Sequence, residues 1–193
     1  MLKTNRSPRY VQPKLSKENV RWIKELLPGL SSEIGGSIEL NSQGSFERFT
    51  VYTSTRRTAM TLPDFFQIEY HCHFDPYAIQ LPSITDLKIA MKRKLGYDKK
   101  ATGVSGQLNV VFCLKGVVVY RYDGKEKHAD RIFGAISDIM NSGRDDARGM
   151  RDQIEKIEEI SNFKFSFTTW DVAARRGVKL GKFCLKEIVV NPA

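Results

Sequence analysis

A single layered α/β domain is predicted, and three observations predict it. Short runs rich in strand formers alternate with stretches whose apolar residues recur at helical spacing, which implies a sheet packed against helices. The strands and helices are mixed along the chain, with no internal repeat or low-complexity tract. At 193 residues the chain is long enough for one well-buried domain and short for two.

The expected elements follow in order. Ser16 opens a first helix through about Leu27, buried through Val20, Ile23 and Leu27 and stopped by Pro28-Gly29. A strand beginning at Glu33 (Glu33-Ile34-Gly35-Gly36-Ser37-Ile38-Glu39-Leu40) comes next. Residues 46–54 are rich in strand formers, and Ser42-Gln43-Gly44 before them predicts a turn. Residues 65–73 form a further strand. Pro82 then precedes a helix over 84–95, with Ile84, Leu87, Ala90, Met91 and Leu95 as its apolar stripe. Leu108 to Leu114 and Val117 to Tyr122 make a hairpin around Lys115-Gly116. Residues 129–160 are helical with a polar break at Asn141-Ser142-Gly143-Arg144, and Ile154, Ile157 and Ile160 give the second helix a narrow apolar stripe. Strands at Phe163–Thr168 and Phe183–Val190 close the chain, and Trp170 reads as a packing aromatic.

Composition narrows the class. Hydrophobic content of 41% and charged content of 27% are ordinary for a globular protein. No apolar run is long enough to span a bilayer, so no membrane partner is expected. Residues 1–13 carry Lys3, Arg6 and Arg9 with no acid and are read as a basic N-terminal arm, leaving 14–193 as the domain. Cys72, Cys113 and Cys184 are widely spaced in apolar segments, the pattern of reduced core thiols in an intracellular, cytoplasmic protein. The net charge of +9 favours nucleic acid, an anionic membrane surface or acidic partners. Its clusters (Arg56-Arg57, Lys92-Arg93-Lys94, Lys99-Lys100, Arg175-Arg176) are diffuse and not interleaved with aromatics. A solvated basic surface is therefore preferred over a dedicated nucleic-acid site. The oligomeric state leaves no mark in the pattern.

The chemistry gathers around His71-Cys72-His73 and Pro82-Ser83-Ile84-Thr85-Asp86. In a strand of period two, Phe66, Ile68, Tyr70 and Cys72 fall on one apolar face, while Gln67, Glu69, His71 and His73 share the other. Both imidazoles can then reach one ion, with Cys72 turned away. Ser83 and Asp86 stand at the start of the next helix, which brings a carboxylate towards the same strand end. Two imidazoles and a carboxylate are a usual ligand set for catalytic zinc. Ser-x-x-Asp is equally a capping box, and Asp75, at strand spacing from His73, is a rival third ligand. A hydrolase built on such a centre also needs a base, and Glu33 is the upstream candidate; Glu39 has the same strand parity but lies farther along.

These residues in this order resemble the JAMM (MPN-type, JAB-domain) zinc metallopeptidases. The family's pattern is a Glu opening a Gly-containing strand, then His-x-His-Pro, then Ser-x-x-Asp on a helix. The resemblance covers roughly residues 14–125 with identifiable motifs. The chain departs from it at Phe74, where the family has Pro, and by about two extra residues between His73 and Asp86. A short loop insertion of that kind costs little. The resemblance implies a curved mixed sheet flanked by helices, cytidine-deaminase-like, although the deaminase His-x-Glu with Pro-Cys-x-x-Cys is missing. It implies Zn²⁺ on His71, His73 and Asp86, Glu33 as general base and Ser83 as donor to the tetrahedral intermediate.

The expected function is zinc-dependent hydrolysis of a peptide or isopeptide bond by an activated water. The partner is a protein or peptide substrate, ubiquitin-like in many members of the family. A basic ubiquitin-like tail suits a +9 surface poorly, so acidic or neutral sequences around the scissile bond are expected to be preferred. The alternative is a non-catalytic MPN-type scaffold or a basic nucleic-acid-associated protein.

Overall fold

The computed structural model describes residues 9–30, 34–41, 45–53, 68–73, 80–95, 108–144, 146–181 and 183–185. Its centre is a six-stranded mixed sheet flanked by helices on both faces. The strands of that sheet are β3 (Ile34–Leu40), β4 (Phe46–Thr53), β5 (Ile68–His73), β6 (Leu108–Cys113), β7 (Gly116–Tyr122) and β8 (Phe163–Thr169). They lie in the order β4-β3-β5-β6-β7-β8, with β5 and β6 parallel and the other neighbours antiparallel. Two short antiparallel pairs tie the chain's ends together. These are β1 (Arg9–Val11) with β10 (Phe183–Leu185), and β2 (Lys14–Leu15) with β9 (Val178–Lys179).

One face of the sheet packs against α1 (Lys17–Leu26) and α5 (Trp170–Arg176) through Val20, Ile23, Ile68, Tyr70, Phe112 and Trp170. The other packs against α2 (Ile84–Lys94), α3 (Asp130–Ser142) and α4 (Ala147–Ile160) through Leu87, Met91, Val111, Val118, Phe133 and Ile157. Strand β6 is buried along its whole length, as a central strand covered on both faces must be. Odd and even residues divide between the two cores: Val110 and Phe112 join the first, Val111 and Cys113 the second.

Most local expectations appear as read. Ser16 caps α1 in a capping box with Asn19, and Leu27–Gly29 tightens into a 3-10 turn at Pro28. Cys72 and Cys113 are buried free thiols. Among the described residues no helix is long and apolar enough to cross a membrane. The predicted turn at Ser42-Gln43-Gly44, residues 65–67 of the histidine strand and the last strand beyond Leu185 lie outside the described residues.

Three features differ from the reading. Ile160 is 39% exposed, and α4 instead buries Met150, Gln153, Ile154 and Ile157. Gln153 belongs there because its amide donates to the Ile139 and Met140 carbonyls, acceptors that the last turn of α3 leaves without helical partners. Second, a short helix that the sequence did not announce, α5, follows β8; Trp170 opens it as the packing aromatic expected, buried in the first core, and its indole N–H donates to the Cys113 carbonyl at 2.8 Å. A helix of seven residues is too short to show a repeating stripe. Third, residues 9–11 of the basic arm are a sheet strand, held by pairing with residues far away in sequence.

Gly36 shows how closely β3 is packed. A Cβ there would stand 1.7 Å from the Thr50 carbonyl oxygen and 3.2 Å from the Tyr70 ring. We expect Gly36→Ala to cost at least about 1–3 kcal/mol, the usual range for overpacking, in urea unfolding. Gly134 is an exposed position in α3 with no described atom within 4 Å of a built Cβ. Gly134→Ala should raise stability by up to about 1 kcal/mol.

Candidate metal centre

Strands β5 and β6 are parallel, so the chain must cross over between them, and α2 lies on that crossover. Its N-terminus consequently returns to the C-terminal end of β5. Alternation then sorts the side chains of β5. Ile68, Tyr70 and Cys72 enter the core beneath α1, leaving Glu69, His71 and His73 on the α2 side. The approach to α2 is fixed by buried Leu81 and by Gln80, whose side-chain carbonyl accepts from the Leu114 N–H at 2.9 Å.

At this junction three ligand atoms converge. The Nε2 atoms of His71 and His73 are 3.1 Å apart, and His71 Nε2 is 3.4 Å from Asp86 Oδ2. One ligand atom from each of the three residues lies within 4.8 Å of the other two. Two donors each about 2.0–2.1 Å from one tetrahedral zinc would lie about 3.3–3.4 Å apart. The donor set and the two spacings at His71 therefore fit zinc. The His71 and Asp86 side chains are 16% and 25% exposed, so neither is closed off completely by the described residues.

Ser83 is the N-cap of α2 and forms a capping box with Asp86. The Ser83 N–H and hydroxyl both donate to Asp86 Oδ2, at 2.8 and 2.7 Å, while the Asp86 N–H donates to Ser83 Oγ at 3.2 Å. Burial works against the Asp86 charge. The His71 hydrogen bond and charge, with the two Ser83 bonds, outweigh it and hold the carboxyl well below the ordinary carboxylate range. The Asp86 carboxylate thus stays ionised at neutral pH. The stability this gives is present above the ordinary carboxylate pKa and is lost as pH falls through the depressed value.

Two neighbours complete the environment. Cys113, the pairing neighbour of His73, donates to the Gly116 carbonyl, and burial pushes its thiol up to about 11. It therefore stays a neutral thiol near pH 7. Tyr120 is fully enclosed. Burial first, then the charges of Asp86 and Glu69, keep its phenol protonated.

The structure thus brings His71, His73, Asp86 and Ser83 together. Glu33 and Asp75 lie outside the described residues. Gly35, two positions after Glu33 in sequence, is paired with His71 across the β3–β5 ladder. Glu39 is engaged elsewhere: its carboxylate accepts from Arg48 Nε at 2.7 Å and from the Thr50 hydroxyl. The sequence reading did not single out the ion pair of Arg93 with Glu69, whose side chains are 9% and 10% exposed. Its only sequence signal is spacing, since Glu69 shares the parity of His71 and Arg93 follows Asp86 by seven. Compared with family models, with curated proteins and with solved structures, the chain matches none of them.

Proposed function

We propose that the chain is a zinc-dependent hydrolase of peptide or isopeptide bonds, of the JAMM type. The observation that carries this reading is the convergence of His71, His73 and Asp86, with the two donor spacings at His71 suiting one tetrahedral ion. The mixed sheet flanked by helices accords with a cytidine-deaminase-like core, in the element order that the resemblance implies. When bound, zinc supplies Lewis acidity, which polarises a carbonyl and makes water acidic near neutral pH.

The chain's own residues do the rest. Glu33 accepts a proton from the attacking water and returns it to the leaving amine, general base and then general acid. The pairing of Gly35 with His71 supports this choice over Glu39, which already serves Arg48 and Thr50. Ser83 donates to the developing oxyanion, a contact worth about 3–4 kcal/mol where it has been removed in other enzymes. Its hydroxyl proton rests on Asp86, so this role requires the hydroxyl to turn while the Ser83 N–H keeps the carboxylate in place. The substrate is a protein or peptide, and ubiquitin-like conjugates fall within the class. The positive surface favours acidic or neutral segments next to the scissile bond.

Two observations favour a second reading, a non-catalytic MPN-type scaffold or a basic nucleic-acid-associated protein. The Ser83 hydroxyl proton is already committed to Asp86 in the helix cap, and the net charge is +9. Elemental analysis of purified protein separates the two. About one tightly held zinc per chain, with cleavage in a panel of acidic, neutral and basic peptides, is expected of the hydrolase. No metal, with salt-sensitive DNA binding, would establish the second reading. Within the first, Asp86→Ala should lose zinc and Asp75→Ala should keep it; the reverse would move the third ligand to Asp75.

A further inference from the structure

We infer that the buried Glu69–Arg93 ion pair is a positioning device for the metal centre, setting α2 on β5 so that Asp86 meets the two histidines. This rests on the metal reading above. Glu69 stands two residues before His71 on the same face of β5, about 6.6 Å along the strand. Arg93 stands seven residues after Asp86 in α2, about 10.5 Å along the axis and within about 20° of the same angular position. Helical side chains lean towards the N-terminus, so the long Arg93 side chain reaches back and reconciles the two spacings. The helix is thereby pinned to the strand at two points, Asp86 with His71 and Arg93 with Glu69.

Stability alone is a poor reason for such a pair. Both charges are almost fully withdrawn from water, and in that setting desolvation offsets most or all of the attraction. Leu87 and Met91 already supply the apolar docking of α2 on the second core. Apolar contacts hold a helix against a sheet but resist sliding weakly, whereas a ligand triad tolerates displacement of only about 0.5 Å. Ser83 orients the Asp86 carboxylate within the helix and has no part in fixing the helix relative to β5. Gln80 secures the chain before the helix, and Arg93 secures the helix two turns on.

The test replaces the pair by apolar side chains of similar length, Glu69→Met with Arg93→Met, and reads metal binding and stability separately. The probes are zinc, titrated in competition with a chelating indicator, and Co²⁺, whose visible absorption reports tetrahedral coordination. The metal-free double variant should melt within a few degrees of wild type, since apolar replacement of a buried pair is commonly neutral. Its zinc affinity should fall about 10–100-fold, the usual consequence of losing an outer-shell support, with a changed Co²⁺ spectrum. Unchanged affinity and spectrum would overturn the inference. If the double variant does not fold, Arg93→Lys decides, because it keeps the charge and loses the fork. Weakened binding at wild-type melting temperature supports positioning, and unchanged binding overturns it. A wild-type protein that binds neither ion overturns the metal reading itself, before any substitution is made.

Discussion

His71→Ala and His73→Ala should each leave a folded protein that no longer retains zinc. The loss of affinity should exceed the roughly 10–100-fold typical of an outer-shell change, because a ligand itself is removed from a three-residue set. Folding should survive because the histidines stand on the partly open side of β5. The core residues of that strand, Ile68, Tyr70 and Cys72, face the other way. Asp86 keeps both Ser83 bonds in the His71 variant, so its carboxylate is not left uncompensated. The cost to stability should be on the order of 1 kcal/mol. Elemental analysis after dialysis, with a thermal melt of the same sample, checks both halves. Full zinc occupancy in either variant would remove the assignment of this site, and a collapsed melt would make the metal part of the fold.

How much of this centre the sequence disclosed follows from the range of the interactions involved. His71 and His73 were legible because strand period is local: alternation alone puts them on one face and Cys72 on the other. Asp86 was legible as a helix start, through Pro82, Ser83 and the Leu87–Met91 stripe, and the capping box is present as well. Cap and ligand are therefore not rival descriptions, since the bonds that cap α2 also hold the Asp86 oxygen next to His71. The helix phase of α4 was misjudged at Ile160 because Gln153, a polar residue, takes a buried place by satisfying carbonyls of another helix. Pattern reasoning counts Gln153 as surface, and only the packed α3–α4 pair shows otherwise. The pairing of Arg9–Val11 with Phe183–Leu185 and the Arg93–Glu69 bond were illegible for the same reason. Each joins residues that no local period relates.

Glu33→Gln should retain zinc at the wild-type level and lose about 10²–10⁴ in hydrolytic rate, the range expected when a general base is removed. The amide keeps the shape of the side chain and still hydrogen-bonds, but it cannot take a proton from water. Metal content should be unaffected because the proposal gives the metal to His71, His73 and Asp86 and gives Glu33 the proton. The prediction therefore separates binding from turnover, which the ligand variants cannot do. Glu39→Gln is the matched comparison. Its carboxylate binds Arg48 and Thr50, so the amide should weaken the β3–β4 contact while leaving the rate near wild type. The peptide panel that establishes the wild-type activity supplies the substrate, with acidic and basic members assayed at low and high salt to read the influence of the +9 charge. An active Glu33→Gln beside an inactive, zinc-loaded Glu39→Gln would transfer the role of base to Glu39. Full activity in both would mean that the proton is carried by a group from elsewhere in the chain, and the JAMM-type mechanism would have to be given up.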